Sequence, residues 1–336
     1  MQSSAIRTLL RCISHFSLLK RDAVIPRKTK TFTLALFGLS ILAGDVLATP
    51  VMVDADMNEQ VVMVPAVSGS ESILLETTIF KPSGPGPFPV LLMNHGKSLG
   101  NPRTQKRDRF IAVSREFVKR GYAVVIPMRK GFAQSTGDYR EKVCDMTGNG
   151  QMQADDLRSA LNYIAGQSWA DKNRLLVGGQ SYGGLATMAF GTRGFPGVRA
   201  LINFAGGLRI HGSLCHWSDS LVQAFAEFGK HTMVPSIWFY GENDRHFKPE
   251  LVTRMYGAYV QAGGKAKLVA YGPFKNDAHG MSSSWDGVRI WWPETEKLLK
   301  EVGLPTDEVV VIDDDPRTQK TDYAVIDNVD AVPYLK

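Results

Sequence analysis

"RLLVGGQSYGG", residues 174–184, carries an apolar run into four glycines set around one serine, Ser181. The "LLV" core of that run suits a buried strand, and "LATMAFGTRG" (185–194) beyond it has a helical pattern. A strand entering G-x-S-x-G and a helix leaving it describe a sharp turn that holds its serine in a strained backbone conformation. Side chains at 179 and 183 would collide with strand and helix, which accounts for the glycines there. The start of the helix aims free N–H groups and the positive end of its dipole at the place where negative charge would develop. Glycine-rich turns between strand and helix also arise with no function. The strand before and the helix after separate the two readings.

Outward from this turn, strand-length apolar runs alternate with helical patterns. "VVMVPAV" (61–67), "SILLETTIF" (72–80), "VLLMNHG" (90–96) and "YAVVIPM" (122–128) read as strands, with helices over 107–121 and 153–167. After the turn, 198–207, 234–241 and 266–272 read as strands, and 218–230, 249–263 and 285–303 as helices, the last containing Pro293. Such alternation predicts one α/β domain over 49–303, a mainly parallel sheet of about eight strands with helices on both faces.

A serine hydroxyl needs a base to become nucleophilic, and the base needs an acid to orient it. With this kind of turn the expected order is serine, acid, histidine. "FYGENDRHF" puts Asp244 in the loop after the strand at 234–241, and "NDAHGM" puts His279 after the next strand. Both loops lie at carboxyl ends of strands, where open α/β sheets gather their sites. Glu242 and Asp277 are rival carboxylates, each equally readable as a solvated loop residue. His246 stands too near Asp244 in sequence to be a separate base, and His211, His216 and His231 read as polar surface or pocket wall. No spacing among them suits a metal, and no cofactor is implied. A second oxyanion donor beside the Tyr182 N–H is expected from the turn in "MNHGKSLG" (93–100), through the backbone N–H of Lys97. The Lys97 side chain itself reads equally as a solvated cation.

The set "NHGKSLG", "RKGFAQSTG" (129–137), "GGQSYGG", "GENDRHF" and "DAHGM" resembles the α/β-hydrolase superfamily. Within it the chain is most similar to exported dienelactone-hydrolase-like and prolyl-oligopeptidase-like serine hydrolases, over about residues 60–303. The resemblance implies the α/β-hydrolase fold, a triad of Ser181, Asp244 and His279, and a match to the family's arginine-glycine loop at Arg129 and Gly131. Dienelactone hydrolases use a cysteine nucleophile where this chain has serine, and no propeller precedes the domain as in full prolyl oligopeptidases. The short stretch between the strands at 198–207 and 234–241 leaves little room for a large lid. The implied activity is hydrolysis of a small carboxylic ester through an acyl-enzyme. A small serine peptidase or amidase would use the same residues, and a binding module on a hydrolase scaffold is the reading from another class.

The N-terminal segment is a matter of charge and hydropathy. Residues 1–48 hold seven Lys or Arg against two acids, and the rest of the chain carries 32 basic and 31 acidic residues. That near balance gives nucleic acid no electrostatic footprint. A basic stretch ending at Lys30, the uncharged "TFTLALFGLSILAG" (31–44) and "VLA" before position 49 have the layout of a signal peptide. An uncleaved anchor is the alternative, although the run is shorter than the ~20 residues of a membrane span. Export to the periplasm or outside the cell is therefore expected, with no stable membrane span after cleavage. Beyond Cys12 the chain keeps two cysteines, Cys144 and Cys215, which in an oxidising compartment would form one disulfide. Two unrelated buried thiols are the other reading. The tail 304–336 mixes short aliphatic runs with seven aspartates and reads as a strap on the domain or as partly disordered.

Overall fold

In a computed structural model of the protein, residues 54–210 and 215–312 are described. The expected signal segment, His211 and the tail from 313 lie outside them. The α/β alternation builds one eight-stranded sheet, in the order β1-β2-β4-β3-β5-β6-β7-β8. The strands are β1 (Gln60–Ser68), β2 (Glu71–Phe80), β3 (Phe88–Asn94), β4 (Ala123–Pro127), β5 (Ala170–Gln180), β6 (Val198–Phe204), β7 (Ser236–Gly241) and β8 (Ala266–Tyr271). β1 runs antiparallel to β2 and β2 to β4, while β3 to β8 are all parallel.

Among the described residues six helices cover the sheet: α1 (Ile111–Lys119), α2 (Met146–Ala165), α3 (Tyr182–Gly191), α4 (Trp217–His231), α5 (Pro249–Gln261) and α6 (Trp285–Glu301). Because side chains alternate along a strand, β3 feeds two cores at once. Its Val90 and Leu92 pack under α2 to α5, and its Leu91 and Met93 under α1 and α6. The chain after β3 turns to α1 on one face, whereas the chain after β5 turns to α3 on the other. Neighbouring strands whose connections leave to opposite faces open a crevice at their carboxyl ends. Ser181 and the loop from His95 flank that crevice. No helix among the described residues is long and apolar enough to cross a membrane.

Two helices start elsewhere than the sequence suggests. α2 begins at Met146, seven residues before the expected start, where Asp145 caps it by accepting from the Gly148 N–H at 2.7 Å. Gly150 in the added first turns serves packing, since a Cβ there would stand 2.9 Å from the Phe228 ring. α1 begins only at Ile111, because 107–110 is taken up otherwise. Arg107 and Arg109 reach across to the buried Glu59, and the Asp108 carboxylate accepts from the N–H groups of Arg109 and Phe110.

The first part of the tail packs on the domain. Tyr122 donates to Pro305 O at 2.8 Å, Arg120 to Thr306 O at 3.1 Å, and Val309 and Val310 both donate to Lys119 O at the end of α1. Leu304 and Ile312 are buried.

Cys144 and Cys215 form a disulfide, with Cα atoms 5.9 Å apart. It ties the residue before the α2 cap to the start of α4, where Ser220 also donates to Cys144 O. Replacing both cysteines by serine should lower the unfolding free energy by about 2–5 kcal/mol, since the bridge closes a long loop. Urea unfolding without reductant, wild type against the double variant, measures this.

Candidate active site

The turn between β5 and α3 fixes the nucleophile candidate first. Ser181 has φ 55° and ψ −122°, a conformation that L-residues avoid and that costs on the order of 1–3 kcal/mol. Neighbouring backbone holds it there: the Ser181 N–H donates to Phe204 O, and Ser181 O accepts from Leu185 and Gly207. The chain can bend so tightly only where side chains are missing. A Cβ on Gly179 would stand 2.2 Å from Gly183 O, and one on Gly183 2.1 Å from Asn94 O. Asn94 clasps the junction from β3, donating to Gly178 O at 2.7 Å and to Thr187 at 3.2 Å. Tyr182 is the first residue of α3, so its N–H belongs to the helix start and has no intrahelical acceptor.

The acid and the histidine come from the loops after β7 and β8. His279 Nδ1 lies 3.0 Å from Asp244 Oδ2. The other carboxylate oxygen accepts from the N–H groups of His246 at 2.7 Å and Phe247 at 2.9 Å. Burial of Asp244 favours its neutral form, but the His279 hydrogen bond, the His279 charge and the two N–H donors outweigh it. The carboxyl stays below the ordinary range. An ionised Asp244 only accepts, so the neutral imidazole carries its proton on Nδ1 and leaves Nε2 as a base. Asp277 acts on the backbone instead: its Oδ1 accepts from the N–H groups of His279 and Arg245 and caps the 3-10 turn Ala278–Ser283. Glu242 is exposed. Gln180, one residue before Ser181, donates to His279 O at 3.0 Å and so links the β5–α3 turn, an elbow in the chain, to the histidine loop.

His246, set aside on its sequence spacing, lies with its ring 4.3 Å from that of His279. Burial, then the neighbouring His279, push its pKa down to about 4, so it is a neutral partner at working pH. Phe132 and Tyr182 pack inside, with the Arg129 guanidinium 5.5 Å and 5.4 Å from their ring centres. Trp285 lines a surface groove of about 370 Å³ with Glu116, Val288 and Trp292. Lys97 lies in the loop after β3, its ammonium 3.6 Å from Glu141 and 5.5 Å from the Tyr139 ring. Sequence reasoning missed Gln105 and passed over His95 as half of a His-Gly turn. A histidine two residues before the expected oxyanion donor was the available signal. Among the described residues no three His, Cys, Asp or Glu side chains meet as a metal ion needs.

The strand order, the strained serine between β5 and α3, and the carboxylate–imidazole pair on the loops after β7 and β8 together decide the class. The chain belongs to the α/β-hydrolase superfamily. Within this superfamily, residues 69–233 match the model of the X-Pro dipeptidyl-peptidase (S15) family, a span that holds Lys97, Ser181 and both bridged cysteines but ends before Asp244. A stretch of 145 residues, 42% of the chain, is 33% identical to the cocaine esterase of Rhodococcus sp. and covers 22% of it. Another of 123 residues, 36% of the chain, is 30% identical to the quorum-quenching protein AidA of Acinetobacter baumannii and covers 37% of that protein. The matches thus span well under half of either relative. A Pyrococcus furiosus esterase superposes with a TM-score of 0.53 at 16% identity, covering 73% of this chain and 94% of that one.

Since Asp244 is held below the ordinary carboxylate range in the fold, its ionised form adds stability that is present above an unfolded pKa of about 3.9. That stability is lost as pH falls through the folded value. Asp244→Asn should therefore show a shallower loss of unfolding free energy with acidification, checked by urea unfolding at stepped pH below about 5.

Proposed function

We propose that the protein is an exported serine hydrolase that cleaves small carboxylic esters. The observation that carries this is the 3.0 Å contact between His279 Nδ1 and Asp244, on the same sheet end as the strained Ser181. His279 Nε2 takes the Ser181 proton while Oγ adds to the ester carbonyl. The N–H groups of Tyr182 and Lys97 hold the resulting oxyanion. Return of the proton to the alcohol expels it and leaves an acyl-enzyme, and water activated by His279 releases the acid. Asp244 holds the imidazole tautomer and stabilises its cation. The partner implied is a small-molecule ester; the esterases among the similar proteins support this class. The leader-like segment 1–48 and the disulfide support export, with the catalytic domain beginning at about residue 49.

The match to the S15 family favours a second reading, in which the same residues cleave peptide or amide bonds, X-Pro substrates among them. A panel of p-nitrophenyl esters beside X-Pro amides separates the two readings by their kcat/KM values. Ser181→Ala should lower ester turnover by about 10⁴-fold or more and abolish labelling by a fluorophosphonate probe. Wild-type turnover in that variant would overturn the assignment.

A further inference from the structure

We propose that His95 and Gln105 are positioning residues that clamp the Gly96–Lys97 peptide so that its N–H faces the oxyanion; this rests on the reading of Ser181 as nucleophile. The hydrogen-bond pattern fixes the state of both side chains. The backbone N–H of Arg129 points at His95 Nε2 at 3.0 Å. An N–H can only donate, so Nε2 is bare and the neutral ring carries its proton on Nδ1. Nδ1 lies 2.6 Å from Gly96 O and therefore donates to it. Gln105 is oriented in the same way: its Oε1 accepts from the Ser98 N–H at 2.9 Å, which leaves its Nε2 to donate to Gly96 O at 3.2 Å. Two donors thus converge on one carbonyl oxygen.

That oxygen and the Lys97 N–H belong to one peptide group. In a planar trans peptide the C=O and N–H point in opposite directions, so fixing one fixes the other. The Lys97 N–H has no hydrogen-bond partner among the described residues. Gly96 itself lies against the elbow: a Cβ added there would stand 3.2 Å from Ser181 Cβ and 2.6 Å from Gln180 Oε1. The clamp therefore works within a side chain's breadth of the nucleophile.

The clamp rests on a firm base, and this gives the loop 129–137 a task. His95 is fully buried with its ring 4.6 Å from that of Phe132. Ala133 donates to Pro102 O, and Arg103 donates to Ser135 O and Gly137 O. The segment bearing Gln105 is thereby fastened to the loop that supplies the Arg129 N–H. Burial, then the Arg129 charge, push the His95 pKa far below its usual value, so the donor pattern persists through the neutral range.

Gln105→Glu is the discriminating change. It keeps an oxygen for the Ser98 N–H but turns an acceptor toward Gly96 O in place of a donor. With a short-chain p-nitrophenyl ester, kcat should fall about 10–100-fold at nearly unchanged KM, part of the 10²–10³-fold cost of losing a whole oxyanion donor. A trifluoromethyl ketone provides the readout that a merely structural role would not move. Ser181 Oγ bonds to its carbonyl carbon, the proton passes to His279, and the carbonyl electron pair becomes the oxyanion. Its affinity should weaken by the same factor as kcat, with thermal stability close to wild type. Gln105→Leu, which removes the donor without adding charge, should show the same pattern to a smaller degree. Unchanged kcat and ketone affinity in either folded variant would overturn the clamp, as would a loss of kcat with no loss of ketone affinity. Full turnover by Ser181→Ala would instead sink the reading of the site itself, so the two failures are told apart.

Discussion

Ser181 is held in a backbone conformation that its own residue type resists, and much of the fold is arranged to keep it there. β5 delivers it, α3 carries the chain away, and two glycines let strand, turn and helix come closer than any side chain would allow. The strain is sustained because the surroundings are over-determined: hydrogen bonds from β6 and from the start of α3, and the Asn94 clasp from β3, all close on the same few atoms. Loosening any of them would let the turn relax and swing the hydroxyl away from the crevice.

The electrostatics follow the same logic of positions fixed from outside. Asp244 is buried, which alone would neutralise it, yet its two oxygens meet the imidazole and two backbone donors. Its charge is thus kept for the one partner that can take up a proton. Asp277, closer to His279 in sequence, secures the turn that brings the ring to Asp244. Two neighbouring carboxylates have separate tasks, decided by which atoms they face rather than by their distance along the chain.

The strands were readable because buried parallel strands are short unbroken apolar runs, as in "VLLM" and "AVVIP", and the helices between them keep a helical period. The elbow was readable because its steric demand leaves glycines at fixed places. What escaped notice has a common cause. The early start of α2 depends on one aspartate cap and on a glycine that makes room for Phe228, and the late start of α1 on a pairing of Arg107 and Arg109 with Glu59, some 50 residues away. Gln105 and His95 acquire their setting from loops that meet only in the folded chain, so their types and spacing alone announce little.

The segment 304–312 caps the end of α1 from nearly two hundred residues further on, and α6 just before it supplies Trp291, Leu298 and Leu299 to the core beneath α1. During vectorial synthesis, one side of the sheet can bury its apolar residues before α6 emerges, while the other side stays open until α6 and 304–312 are present. A chain cut short near residue 280 would therefore present half a core to solvent and to proteases.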